Sequence, residues 1–192
     1  VAIAGGASFI ASHTIERLLE MEAKVRVIDD FSSGKMENIP TGVAVWRADL
    51  RYYSDTMDML NGSDIVIDLA SVHGGRGFVG TNHEVAISDN FIINTNVLKS
   101  AVKNNVERIF FASSGCIYDT RRQMNERENL YIPESWEDHE TSMYPDGMYG
   151  LSKLVHEKVL QAYHKDGLIK AATCRFFTVF GRRMKENHFI IV

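Results

Sequence analysis

Val1-Ala2-Ile3-Ala4-Gly5-Gly6-Ala7-Ser8-Phe9-Ile10-Ala11 is a short apolar run, then a glycine pair, then a segment in which Phe9, Ile10, Ile15, Leu18 and Leu19 recur at helical spacing. It reads as strand, tight turn, helix. That order sets a helix N-terminus at the end of a buried strand, where amides without an intrahelical acceptor and the positive end of the helix dipole suit a pyrophosphate.

The same alternation continues outward. Val25 to Ile28 is a β-branched run closed by Asp29-Asp30 and the turn formers Ser32-Ser33-Gly34, and Val43 to Trp46 is a third strand. A short helix fits residues 54–60, and Ile65 to Leu69 is a buried-type strand leading into His73-Gly74-Gly75-Arg76-Gly77. Glycine density there implies a backbone that something approaches closely. Phe91, Ile92, Val97, Leu98, Ala101 and Val102 predict a helix over Asn90 to Val106, followed by a strand from Arg108 to Ala112. Tyr149 to Tyr163 reads as a helix and Ala171 to Phe177 as a strand. Strands that alternate with helices predict an α/β fold, a doubly wound parallel sheet of the Rossmann kind with helices on both faces. The exception is the polar stretch from Asp119 to Asp146, which holds Pro133 and Pro145 and reads as a long surface excursion.

Composition narrows the class. Of 192 residues 45% are hydrophobic and 24% charged, enough for one domain with a sizeable core. The 25 acidic and 21 basic side chains do not gather into blocks, so neither nucleic acid nor an anionic membrane is an expected partner. Cys116 and Cys174 are too few for a disulfide framework, which points to a reducing compartment and, as an expectation, the cytoplasm. No apolar run reaches the roughly 18 residues of a membrane span, and the seven histidines show no metal-ligand spacing. Cys174, inside a strand, reads as core packing. Both ends look cut within apolar runs, so the chain is expected to be a fragment.

Two places carry chemistry. Asp29 closes the second strand, where a carboxylate can accept hydrogen bonds from ribose hydroxyls and would repel a 2′-phosphate, which favours NAD over NADP. A simple turn cap is the alternative. Asp49 stands at the corresponding end of the third strand. Further on, Tyr149 and Lys153 lie four residues apart and so share one helix face. Alone the spacing is common, but it follows a strand that ends in Ala112-Ser113-Ser114-Gly115-Cys116, which can bring a hydroxyl beside the phenol.

Taken together and in order, GGASFIASH, DDFSSGKMENI, ASSGCIY, MYGLSK and RFFTVFG resemble the extended short-chain dehydrogenase/reductase family of nucleotide-sugar epimerases and dehydratases, over nearly the whole chain. In that family's G-x-x-G-x-x-G turn Gly5 matches, Ser8 replaces the second glycine and Ala11 the third. A side chain at Ser8 either pushes the pyrophosphate away or donates a hydrogen bond to it. The resemblance implies an NAD site made by Gly5, Ser8, Phe9, Ile10, Asp29, Ser33, Gly34, Asp49, Leu50, Leu69, Ala70, Tyr149 and Lys153. It implies Tyr149 as the base on a sugar hydroxyl, Lys153 as the cation that lowers its pKa, and Ser114 as a second hydrogen-bond partner of the same oxygen.

In sugar dehydratases of the family an acid and a carboxylate follow the matching hydroxyl; Gly115 and Cys116 stand there in this chain, which disfavours dehydration. The chain is similar at two places to the GDP-mannose 3,5-epimerase group, in the cysteine at 116 and in the loop Gly74 to Phe78. The resemblance therefore implies Cys116 as the proton-transfer residue, with a small buried hydrophobe as the alternative reading. Gly75, Arg76, Thr178 and Arg183 are the further substrate contacts it implies, Thr178 standing where an asparagine usually meets substrate phosphate. UDP-sugar 4-epimerisation, or NAD sensing without turnover, are the other functions left open. The expected layout is a NAD-binding domain over 1–181, the start of a substrate-binding region over 182–192, and a homodimer formed through the helices Asn90 to Val106 and Tyr149 to Tyr163.

Overall fold

The computed structural model describes residues 1–73, 81–120 and 144–184. In chain order the elements are β1 (Ala2–Ala4), α1 (Phe9–Glu20), β2 (Arg26–Asp29), β3 (Ala44–Arg47), α2 (Tyr53–Leu60), β4 (Ile65–Asp68), α3 (His83–Lys103), β5 (Arg108–Ser114), α4 (Gly147–Lys165) and β6 (Lys170–Phe176). Short 3-10 turns at Met36–Asn38 and Gly115–Ile117 complete them.

All six strands run parallel in the order β3-β2-β1-β4-β5-β6. This is the Rossmann order, and its direction reverses between β1 and β4, so a crevice opens beyond their carboxyl ends. The apolar runs are continuous because both sheet faces are covered. Ala2, Ala4, Ile28, Val66, Ile109 and Phe111 pack with Leu60 of α2, Ile93, Val97, Leu98 and Ala101 of α3 and Leu160 of α4. Ile3 and Val27, one step out of phase, pack with Ala11 and Ile15 of α1.

Two expectations need correction. Helix α3 begins at His83, seven residues before the expected Asn90, because Ala86 is its only buried residue before Asn90 and so leaves no apolar periodicity to read. It ends at Lys103, where Asn105 at φ 55° and the bond from the Val106 amide to the Ala101 carbonyl close it. Cys174 is exposed rather than part of the core. It pairs in register with Ala112, on the sheet face that α1 covers over β1 and β2; no described helix extends that cover to β6.

Candidate active site

The crevice beyond β1 and β4 is a cleft of about 330 Å³, within the size range of small-molecule sites. Gly5, Ser8, Asp29, Ser33, Gly34, Asp49, Leu50, Leu69 and Ala70 line it, together with Asp30, Ser32, Ala48, Ser71, Val72, His73 and Ile93. Nine of the residues expected around the cofactor thus meet in one place. Phe9 and Ile10 do not line it with their side chains.

Its floor is the glycine turn. Gly5 has φ +72°, and a Cβ there would lie 2.8 Å from the Ala70 backbone, so the turn sits against the end of β4 at a distance only glycine allows. Ser8 has φ −85°, a conformation open to any residue, and its hydroxyl donates to the Gly5 carbonyl at 2.8 Å. The side chain that replaces the family's second glycine is therefore folded onto the turn. No side chain caps α1, and its first intrahelical bond is Ser12 N to Ser8 O. The Phe9, Ile10 and Ala11 amides have no acceptor within the helix, which suits them to an anion.

Asp29 fixes the wall. Its Oδ2 accepts from the Ala7 amide at 2.9 Å and its Oδ1 from the Phe31 amide at 2.8 Å. Burial raises its pKa against those two bonds. The Ala7 carbonyl in turn accepts from the Lys35 amide at 3.0 Å and the Asn38 side chain at 2.8 Å, which ties the loop after β2 to the glycine turn. A Cβ on Gly34 would fall 2.6 Å from Ala7 Cβ and 3.0 Å from Asp29 Oδ1, so the loop can lie this close only as glycine. At the end of β3, Asp49 receives Arg51 through Nε at 3.0 Å and a second guanidinium nitrogen at 2.7 Å, and those bonds lower its pKa.

Tyr149, Lys153, Ser114 and Cys116 are not part of the cleft lining; they gather beside it, next to Ser71 and His73. Gly150 lets α4 seat on the turn after β5, since a Cβ there would meet the Cys116 carbonyl at 2.2 Å. That carbonyl accepts from the Asp146 amide at 2.7 Å, and the Cys116 amide donates to Ser114 Oγ at 3.1 Å. The Tyr149 phenol is hydrogen-bonded by Ser71 and Ser114, and its ring lies 5.0 Å from that of His73. Burial first, then the Cys116 charge, push its pKa up to about 12 against those two bonds. Lys153, 2% exposed, donates from Nζ to the Ala112 carbonyl at 2.8 Å and lies 5.7 Å from the Tyr149 ring centre. Burial lowers it to about 8, against the opposing pull of Asp68 and Cys116.

The structure thus brings Tyr149, Lys153, Ser114 and Cys116 together. Of the other expected substrate contacts, it does not bring Thr178 or Arg183 to them. Thr178 is exposed and outside the cleft lining, and the Arg183 guanidinium pairs with Glu16 on α1, an acid whose distance in sequence hid the pairing. Gly75 and Arg76, with the rest of the 74–78 loop, lie outside the described residues.

Four polar residues escaped sequence reasoning. Asn90, wholly buried, accepts from Ser71 Oγ at 3.0 Å and the Val72 amide at 2.7 Å, holding the cleft edge after β4. Asp68, Asn94 and His156 lie buried behind Lys153. An ionisable residue closing the apolar strand Ile65-Val66-Ile67 was the signal for Asp68. No comparable signal marks Asn94 or His156, which sit on buried helix faces that mix apolar and polar residues.

The comparisons with known proteins agree with this geometry. Residues 1–191 match the NAD dependent epimerase/dehydratase family. The chain belongs to that family. It is 33% identical over 184 residues to GDP-mannose 3,5-epimerase 1 of Oryza sativa subsp. japonica, covering 94% of this chain and 47% of that protein. With GDP-mannose 3,5-epimerase of Arabidopsis thaliana it shares 33% over 186 residues, again 94% of this chain and 47% of the relative. Among solved structures, the UDP-glucose 4-epimerase of Thermus thermophilus in complex with NAD superposes with a TM-score of 0.85 at 28% identity, covering 98% of this chain and 58% of that one. The chain spans about half the length of the relatives it matches. Family members depend on NAD, and the cleft fits that cofactor in two respects: uncapped amides for a pyrophosphate, and glycines at 5 and 34 where side chains would fill the space.

Proposed function

We propose that the chain is the NAD-binding part of a nucleotide-sugar epimerase that works by transient oxidation at C4, most like GDP-mannose 3,5-epimerase. The observation that carries this reading is the convergence of a phenol, a buried ammonium, a serine hydroxyl and a thiol at the end of β5. When bound, NAD supplies the hydride acceptor, so that the sugar passes through a ketone. Tyr149 takes the proton of the C4 hydroxyl, with Ser114 hydrogen-bonded to the same oxygen. Lys153 supplies the positive charge that favours the phenolate, against the burial that pushes Tyr149 up to about 12. Cys116 moves a proton at the carbons beside the ketone, where C–H bonds have become acidic.

Gly5, Ser8, Ser33, Gly34, Asp49, Leu50, Leu69 and Ala70 are proposed to contact the cofactor with side chain or backbone, Phe9 and Ile10 with their amides, and Asp29 as the ribose partner. Gly75 and Arg76 remain proposed substrate contacts. The domain is proposed to run over 1–181, with residues from 182 opening a substrate-binding region. A homodimer through α3 and α4 is supported by Phe91 and Ile92, large apolar side chains left exposed on α3. No helix among the described residues is long and apolar enough to cross a membrane.

The experiment is incubation of the full-length protein with NAD and GDP-mannose in heavy water. Deuterium at C3 and C5, lost in Cys116→Ser, is the expected outcome. The likeness to UDP-glucose 4-epimerase favours a second reading: conversion of UDP-glucose to its C4 epimer without deuterium in the ring would replace the first.

A further inference from the structure

Counting buried charge exposes an imbalance at Lys153. Asp68 is 0% exposed, Glu157 1% and Lys153 2%. Glu157 is fully engaged, taking Arg175 through Nε at 3.2 Å and a second guanidinium nitrogen at 2.9 Å. His156 has no hydrogen-bond partner at either ring nitrogen and is held neutral by burial, its pKa pushed down to about 3. Lys153 has three donors and one protein acceptor, the Ala112 carbonyl. A buried ammonium with a single neutral acceptor is costly unless an opposite charge compensates it.

Asp68 stands where that charge is needed. It is the register partner of Phe111, over whose ring Lys153 Nζ lies at 4.6 Å. Its Oδ2 accepts from Asn94 Nδ2 at 3.1 Å and its Oδ1 from the Ala70 amide at 3.2 Å, so two neutral donors hold the carboxylate in place. We propose that Asp68 is a positioning residue, the buried counter-charge of Lys153, and that Asn94 and the Ala70 amide hold it in that role. The inference rests on the epimerase reading only for its catalytic consequence; the charge pairing stands without it.

The electrostatics run in the required direction. Burial raises Asp68 to about 6, with the Lys153 charge the largest opposing influence, and Asp68 is the largest influence that keeps Lys153 from falling below about 8. The other ionisable groups around the pair are Cys116 from the turn after β5, and Tyr149, His156 and the Arg175-bound Glu157 from α4. Asn94 brings no charge from α3. Cys116 is the other negative influence on Lys153, and its charge changes if it takes part in proton transfer. Asp68 is the constant partner.

The test is the pH titration of Lys153, followed by NMR of the ¹³Cε signal in full-length protein labelled at lysine. Asp68→Asn keeps the shape and the Ala70 and Asn94 neighbours while removing the charge. The expected result is a fall in the Lys153 midpoint of at least one pH unit, a tenfold change in its acid constant, with kcat at pH 7 falling about twofold or more and KM little changed. An unchanged midpoint would overturn the proposal. If the variant does not fold, the Asp68 ¹³Cγ signal of the unsubstituted protein decides instead: it must show a second inflection at the lysine midpoint, and a single inflection in the ordinary range of an exposed aspartate would refute the pairing. Should no nucleotide sugar turn over, the epimerase reading fails while the titration still tests Asp68.

Discussion

Two strands that end near the cleft each close with an aspartate, one lining it and one buried behind it, and the fold treats the two carboxylates in opposite ways. Asp29, after β2, accepts two backbone amides and knits the glycine turn to the following loop. Asp68, after β4, is deeper, takes one amide and one side-chain amide, and shares its layer with Lys153 and an unpartnered His156. The first region satisfies its polar groups with backbone and forms a rigid wall for a cofactor. The second buries a carboxylate and an ammonium with few hydrogen-bond partners, which is where small changes of charge move pKa values most.

Removing the phenol from the catalytic region while leaving the wall intact would separate the two most sharply. Tyr149→Phe is expected to lower kcat by about 10²–10⁴, the usual worth of a general base, with NAD affinity unchanged in a calorimetric titration. Equal losses in both would show that the two regions do not act separately.

Next in size is the wall. Asp29→Ala strips the Ala7 and Phe31 amides of their acceptor, and leaving buried groups unpaired costs about 1–3 kcal/mol each. Urea unfolding should register a loss on that scale, along with weaker NAD binding. A variant as stable as the parent would mean that the loop is held by Lys35 and Asn38 alone.

The pH dependence of stability distinguishes the regions more finely. His156 is lowered to about 3 from 6.5, so the unfolded chain binds its proton first; its stabilisation is complete above 6.5 and declines as pH falls toward 3. The slope it adds is at most about 1.4 kcal/mol per pH unit. Asp68, raised to about 6, works in the other direction, since the folded state holds its proton between about 4 and 6 and gains stability as pH falls there. Denaturant midpoints measured from pH 7 to 4 should therefore fall less steeply in His156→Leu than in the parent. Parallel curves would remove His156 from the account.

The smallest effect is expected at Ser8. Its hydroxyl is turned onto the Gly5 carbonyl, so Ser8→Gly should change NAD affinity by no more than a few-fold. A large gain would show that the side chain obstructs the pyrophosphate after all.

Much of this was legible in the chain itself, for reasons that differ by region. The parallel α/β class follows from apolar runs alternating with helical periodicity, and Gly5, Gly34 and Asp29 stand out because each sits in a turn or at a strand end. Tyr149, Lys153, Ser114 and Cys116 were readable because one helix and one strand carry them all. Asp68 and Lys153 lie on elements far apart in sequence, Glu157 and Arg175 on consecutive ones, and neither partner advertises the other. Arg183 shows the converse: a cation implied as a substrate contact pairs with an acid on α1. Cys174 shows a third limit, because its exposure depends on which elements cover β6.

The contact at Gly150 bears on how such a site can vary. With no room for even a methyl group between α4 and the Cys116 carbonyl, the phenol and the thiol belong to a single mechanical part. Substitution at 116 can alter the chemistry while the helix stays seated, whereas any side chain at 150 displaces both groups at once. A lineage can therefore exchange one reaction for another at 116, but it has no gradual route through 150.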